Sequence, residues 1–335
     1  MDYSRAHAKN HMILDFYKGK TVLVTGAGGF IGSALAERLN GVSCNLVLHT
    51  HITKPVLKTN LAKVKMVTGD ITEPGEWEKN LPEVDIIFHL AEHHYKTFDP
   101  EKDLSITAKP VLDLLQILRK SDSCAKIVFA SSSNLAGLVD KLPVTEDFPD
   151  NPLTVYAIHK HLAEKYLEYY AREFGINSVI LRLANVYGPV TDQEVTKRAV
   201  LNHVIDQALK RGELKLFSNR ECVRDFIYIA DVVDAFLAAG TIDARGEHYI
   251  IGSGEGKTLS EVFETVSQKI QEKTKKNVKI LIDDSIKISE VEKRNFVADY
   301  SKFKSKAGWS PKVTLNEGVK KTINYFLEIY ESSIS

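Results

Sequence analysis

The chain has 335 residues, of which 44% are hydrophobic and 26% charged, a composition typical of a globular enzyme and unlike that of a disordered or fibrous protein. The 44 basic residues balance 44 acidic ones, so the net charge gives no reason to expect a nucleic acid or a membrane surface as partner. Cys44, Cys124 and Cys222 form no disulfide or metal-binding spacing, which favours a cytoplasmic protein without a metal and with a small-molecule partner.

Residues 1–18 precede the first predicted strand. They contain one short apolar patch, which is too short for the hydrophobic segment of a signal peptide. No window of the sequence approaches the length of a transmembrane span. We therefore interpret residues 1–18 as an N-terminal extension of unassigned role.

Short β-branched apolar runs alternate with helical stretches as far as about residue 190. This alternation predicts an α/β fold with a doubly wound parallel sheet of the Rossmann type. After residue 190 we expect a smaller, mostly helical part. The predicted strands are 21–26, 45–50, 64–70, 84–91, 126–132 and 178–188, then short ones at 214–217, 247–252 and 278–282; the predicted helices are 31–40, 110–120, 155–174, 195–211, 229–240, 258–274 and 314–333.

The first predicted strand leads into a glycine-rich turn. Gly26, Gly29 and Gly32 form the pattern G-x-x-G-x-x-G directly between a strand and a helix. Glycines let the backbone approach a pyrophosphate closely, and the helix offers free N–H groups and a positive dipole end. A tight turn without a ligand is the alternative, but the strand, glycines and helix in this order favour a dinucleotide site.

Tyr156 and Lys160 lie four residues apart in a predicted helix, so both side chains share one face. Ala163, Leu167 and Ala171 continue that face, which predicts that it points inward. A nearby ammonium favours phenolate and lowers the pKa of a tyrosine toward neutrality. A buried aromatic beside a lysine is the structural alternative, and the upstream glycine turn makes the catalytic interpretation the better one.

Together with the serines in "FASSSNLAG", these motifs resemble the extended short-chain dehydrogenases/reductases that act on nucleotide-linked sugars, over about Lys20 to Phe326. The resemblance implies a catalytic Ser132, Tyr156 and Lys160. Ser132 lies five residues before Gly137, as in that family, whereas matching the serines as a block gives Ser133. Family dehydratases carry Asp and Glu where this chain has Ser133 and Asn134, so we do not expect dehydration.

Further site residues follow from the same resemblance. It implies that 19–190 is the dinucleotide-binding domain, to which later segments return, and that 191–335 mainly binds the nucleotide sugar. Cofactor contacts are expected from Gly26, Gly29, Phe30, Ile31, Gly32, Asp70, Ile71, Leu90, Ala91, Tyr156 and Lys160, and substrate contacts from Ser133, Asn185, Arg224 and Arg294. The guanidinium group of an arginine can donate two parallel hydrogen bonds to the oxygens of a diphosphate.

The end of the second strand bears on the choice of cofactor. NAD-binding members carry a carboxylate there that bonds the ribose, and this chain has none. His49, Thr50, His51 and Lys54 could receive a 2′-phosphate instead, which favours NADP(H), with NAD(H) as the alternative.

Two reactions fit these residues. The first is NAD(P)H-dependent reduction of a nucleotide-diphospho-4-keto sugar at carbon 4, and the second is 4-epimerisation with the same triad. A cofactor-binding regulator without turnover is a remote third. The resemblance also implies a homodimer formed through helices that include 155–174. Glu92, His93 and His94 have two interpretations: they act as extra acid–base groups, or they lie in a solvated loop.

Overall fold

A seven-stranded parallel sheet lies at the centre of the protein, in a computed structural model that describes residues 12–73, 75–79, 81–92 and 99–332. The strand order is β10-β6-β5-β4-β1-β2-β3, so the chain runs outward in both directions from β1 and β4. This order confirms the predicted doubly wound, Rossmann-type α/β fold. The strands are β1 (Thr21–Thr25), β2 (Asn45–Thr50), β3 (Lys63–Thr68), β4 (Ile86–His89), β5 (Lys126–Ser132), β6 (Ser178–Leu183) and β10 (Glu247–Ile251).

Helices cover both faces of this sheet. The helices that come before residue 190 are α1 (Phe30–Asn40), α2 (Glu76–Lys79), α3 (Pro100–Thr107), α4 (Lys109–Lys120) and α5 (Val155–Phe174). The later ones are α6 (Gln193–Thr196), α7 (Val200–Arg211), α8 (Ile229–Thr241), α9 (Leu259–Thr274), α10 (Ser301–Ala307) and α11 (Leu315–Ser332). No helix among the described residues is long and apolar enough to cross a membrane.

Two smaller sheets complete the structure. β7 (Asn185–Tyr187) pairs in parallel with β9 (Val223–Tyr228), which pairs antiparallel with β11 (Gly256–Thr258). β8 (Glu213–Leu216) pairs with β12 (Lys279–Ile282). One apolar core extends from Val22 in β1 to Phe326 in α11, so the C-terminal elements and the main sheet are packed together.

The structure divides two segments that the sequence predicted as single elements. The predicted strand 178–188 breaks at Ala184, whose N–H donates to the carbonyl of Ile251, and β7 then leaves the main sheet to pair with β9. The predicted helix 195–211 becomes α6 and α7. Asn202 explains that break, because its buried amide bonds both Gly188 and the carbonyl of Thr196.

Candidate active site

The glycine turn between β1 and α1 has the geometry of a dinucleotide cradle. A Cβ on Gly26 would come within 2.7 Å of Ala91 N, and one on Gly32 within 2.2 Å of Gly26 O. Gly26 also has φ +68°, which favours glycine. Gly29 caps α1 without a side-chain hydrogen bond, and the first turn holds no acidic residue, so the N-terminal amides are open to an anion. These residues fit a dinucleotide pyrophosphate.

The end of β4 forms the wall beside this cradle. Thr25 Oγ1 contacts His89 Nδ1 at 3.0 Å and accepts from the N–H groups of Leu90 and Ala91 at 3.2 and 3.3 Å. His89 is fully buried, and burial lowers its pKa to about 3, with the charge of Lys160 as a smaller cause. His89, which stays neutral, contacts Thr25, and Thr25 fixes the backbone of Leu90 and Ala91 next to Gly26. The sequence analysis did not single out Thr25, although it ends a buried strand directly before the glycines.

Tyr156 and Lys160 lie in the first turns of α5, on the face that packs against the sheet. Thr154 caps this helix by accepting from Ala157 N, so it begins one residue before Tyr156. Lys160 is only 1% exposed; its Nζ donates to the carbonyl of Ala130 at 2.7 Å and lies 5.7 Å from the centre of the Tyr156 ring. Ala163, Leu167 and Ala171 are buried, which confirms the predicted inward face.

The three serines differ in their contacts. Ser131 donates a short hydrogen bond to Glu164, so its hydroxyl is engaged inside the core. Ser132 ends β5, and its Oγ accepts from Asn134 N at 3.2 Å. Lys160 bonds Ala130, two residues before Ser132, which brings the lysine to the same end of the strand. The choice between Ser132 and Ser133 stays open.

A buried ion-pair network lies directly beneath these groups. Glu164 is 0% exposed and one helical turn beyond Lys160; Arg182 in β6 donates to both of its carboxylate oxygens. Arg182 also bonds both oxygens of Asp150, at 2.6 and 2.9 Å. The network joins α5, β5 and β6 at the level of Ser131. Sequence reasoning missed it, although Glu164 follows Tyr156 and Lys160 at the same four-residue spacing.

Of the four residues at or just after the end of β2 that were predicted to receive a 2′-phosphate, two are buried and two are exposed. His49 and Thr50 are 2% and 1% exposed, so their side chains lie inside the protein, and burial lowers the pKa of His49. His51 and Lys54 are exposed. Asp70 is half-exposed; its Oδ1 accepts from Thr72 N and Oγ1 at 2.9 Å each, and these bonds are the main cause that holds its pKa below the usual value.

Arg224 and Arg294, the two arginines that the resemblance implies as substrate contacts, lie next to each other. Arg224 is 6% exposed and donates to the carbonyls of Arg294 and of Glu292. Burial lowers the pKa of Arg294 to about 10, and the charge of Arg224 adds to this effect. Within the described part of the chain, neither guanidinium forms an ion pair with a carboxylate. Two adjacent, poorly solvated cations of this kind suit a doubly charged anion.

The remaining predicted residues are placed as follows. Asn185 begins β7, and its amide donates to the carbonyl of Asp225 at 3.0 Å, so part of its hydrogen-bonding capacity is used within the protein. Glu92 lies within 3.5 Å of Lys160 Nζ. His93 and His94 lie outside the described residues. A cavity of about 540 Å³ between α1 and the start of α8 contains none of the predicted site residues.

Comparison with known proteins finds one family and several relatives that match most of the chain. A profile of the NAD dependent epimerase/dehydratase family matches residues 22–252. The chain is 31% identical over 309 residues to a putative UDP-glucose 4-epimerase of Methanocaldococcus jannaschii, covering 91% of this chain and 97% of that relative. It is 28% identical over 313 residues to a dTDP-4-dehydro-6-deoxyglucose reductase of Escherichia coli, covering 90% and 96%.

A solved structure also matches over nearly the whole chain. The UDP-glucose 4-epimerase of Thermotoga maritima with UDP-glucose superposes with a TM-score of 0.80 and 29% identity, covering 92% of this chain and 99% of that one. The family match over residues 22–252 includes the glycine cradle, the tyrosine helix and Arg224.

Proposed function

The chain belongs to the NAD-dependent epimerase/dehydratase family, and from this premise we propose that it exchanges a hydride at carbon 4 of a nucleotide-diphosphate sugar. One observation carries the proposal: the buried Lys160 ammonium lies against the Tyr156 ring and is anchored to the strand that ends in Ser132. This arrangement suits a proton exchange at an alcohol or carbonyl oxygen. Arg224 and Arg294 would hold the diphosphate.

The chain's own residues perform the proton chemistry. Gly26, Gly29 and Gly32 would hold the pyrophosphate of a nicotinamide dinucleotide, which would supply the hydride chemistry at carbon 4. In the reductive direction the Tyr156 phenol gives its proton to the carbonyl oxygen, so that an alcohol forms, and the resulting phenolate takes a proton back from solvent. The Lys160 ammonium stabilises that phenolate, and the Ser132 hydroxyl donates a hydrogen bond to the substrate oxygen.

We propose 4-keto-sugar reduction as the overall reaction. Ser133 and Asn134 stand where a dehydratase keeps its carboxylates, and the reductase of Escherichia coli is similar over 90% of this chain. A 4-epimerase is the second candidate, because the relatives from Methanocaldococcus jannaschii and Thermotoga maritima are named as UDP-glucose 4-epimerases. An epimerase would use the same three residues in both directions.

The cofactor preference is a finer part of the proposal. The family is NAD dependent. No carboxylate ends β2, and His51 and Lys54 are exposed just beyond it, so we propose that the chain prefers NADPH to NADH. Comparing kcat/KM for NADPH and NADH tests this point, and a clear preference for NADH would contradict it.

We also propose a homodimer. Ile158 and Tyr169 on the outer face of α5 are 50% and 46% exposed, Leu162 lies between them on the same face, and Leu104 of the neighbouring α3 is 40% exposed. This apolar stripe, formed by Leu104, Ile158, Leu162 and Tyr169, suits packing against a second copy.

Product analysis separates the two reactions. The purified protein is incubated with NADPH or NADH and a set of nucleotide-diphospho-4-keto sugars, and separately with NADP+ or NAD+ and nucleotide-diphospho-hexoses. Oxidation of one reduced cofactor per ketone consumed supports the reductase. Interconversion of two hexose isomers without net change in the cofactor contradicts the reductase and supports the epimerase.

A further inference from the structure

The Lys160 ammonium is enclosed and has few partners. Its Nζ donates to Ala130 O at 2.7 Å and lies 4.8 Å from the centre of the Phe129 ring. Among the described residues, Glu92 supplies the carboxylate within ion-pair distance of this ammonium, with its Oε2 at 3.5 Å. A buried cation needs a compensating charge. The negative charge of Glu92 therefore offsets part of the positive charge of Lys160 and so weakens its effect on other groups.

Glu92 comes directly after the backbone segment that lies beside the glycine cradle. It follows Leu90 and Ala91, whose N–H groups are fixed by Thr25 beside the glycine cradle. Its side chain is 35% exposed, whereas that of Lys160 is 2% exposed, so Glu92 is the solvent-accessible partner of the pair.

We propose that Glu92, by holding the ammonium of Lys160, keeps Tyr156 in its protonated, proton-donating form and so biases the site toward carbonyl reduction. This inference rests on the proposed function of Tyr156 and Lys160. The physical reason is electrostatic: a nearby cation stabilises phenolate, and a carboxylate on that cation offsets part of its effect. Oxidation of an alcohol starts with phenolate as base, whereas reduction needs the neutral phenol as acid. Glu92 is thus a positioning residue and does not react itself.

Other charged groups around Lys160 do not replace Glu92 in this role. His89 of β4 stays neutral at working pH because burial lowers its pKa to about 3. Among the described residues, the other charged groups near Lys160 pair with one another: Glu164 of α5 with Arg182 of β6, and His159 of α5 with Asp103 of α3 at 3.2 Å.

The test measures the ionisation of Tyr156 directly. Tyrosines are labelled with carbon-13 at the ζ carbon, and the Tyr156 resonance is assigned by its loss in Tyr156→Phe. Its titration is followed by NMR in the unmodified protein, in Glu92→Gln and in Asp113→Asn. Asp113 is a matched control, because its carboxylate also pairs with a lysine, Lys109, and is similarly accessible at 29%.

Glu92→Gln is expected to move the midpoint of the Tyr156 titration down by about 0.5 to 1 pH unit, and Asp113→Asn to leave it unchanged. With an accepted ketone, the pH above which reduction fails should fall by the same amount. An unchanged or higher midpoint in Glu92→Gln, or an equal decrease in Asp113→Asn, overturns the proposal. The titration needs no turnover, so a failure to find any substrate would count against the proposed function and not against the role of Glu92.

Discussion

At the residue scale, consecutive serines with the same chemistry have different surroundings. Ser131 is bonded to Glu164, which lies 33 residues later in the chain. That contact depends on how α5 packs on β5, so the sequence alone does not reveal it. The glycine cradle and the Tyr156–Lys160 pair were predictable, because they depend on short spacings that local geometry fixes. The choice between Ser132 and Ser133 stays a prediction.

Ser132→Ala is expected to lower kcat by about 100-fold, because the substrate oxygen loses one hydrogen-bond donor. Cofactor affinity should be unchanged, since the cradle is formed by glycines and by the end of β4. Steady-state kinetics and cofactor titration measure the two effects. Ser133→Ala is the control, and a large loss of kcat in that variant with none in Ser132→Ala would shift the assignment by one residue.

At the element scale, the position of the tyrosine helix depends on the ion-pair network. Arg182 in β6 bonds Glu164 in α5 and Asp150 in the preceding loop. All seven strands of the main sheet were predictable as short runs rich in apolar residues. β9 and β11 were not, because Val223–Tyr228 is interrupted by Arg224 and Asp225, and because β11 has three residues, of which none is strongly apolar.

Arg182→Met is expected to lower the free energy of unfolding by about 3 kcal/mol, because it leaves the buried carboxylate of Glu164 without its cation. Urea unfolding at a fixed protein concentration measures this change. Arg172→Met is the matched control on α5, the helix that carries Glu164, since its ion pair with Glu173 is exposed and should contribute little to stability. Equal changes in the two variants would show that the network does not hold the helix.

At the scale of the whole molecule, the doubly wound order of the sheet follows from the alternation of strands and helices in the sequence. The way the C-terminal elements join the main core is a tertiary property that periodicity does not encode. The division near residue 190 into a cofactor-binding and a sugar-binding domain stays a prediction, as does the homodimer.

If the proposed dimer forms through the apolar stripe, Ile158→Glu is expected to convert it into a monomer, because the substitution places a charge within that stripe. Sedimentation velocity of the two proteins at the same concentration measures the change. Ile282→Glu is the control, since Ile282 in β12 is equally available at 60% exposure but lies outside the stripe. An unmodified protein that sediments as a monomer would contradict the dimer, and loss of the dimer only in Ile282→Glu would place its interface elsewhere.

The central claim is that Tyr156 exchanges the proton at carbon 4 while the cofactor exchanges the hydride. The most direct measurement compares Tyr156→Phe with the unmodified protein, both for turnover of the accepted nucleotide sugar and for cofactor affinity by titration. We predict that turnover falls by a factor of about 100 to 10,000 while cofactor affinity is retained, because only the hydroxyl is removed. Turnover that survives in Tyr156→Phe would contradict the account.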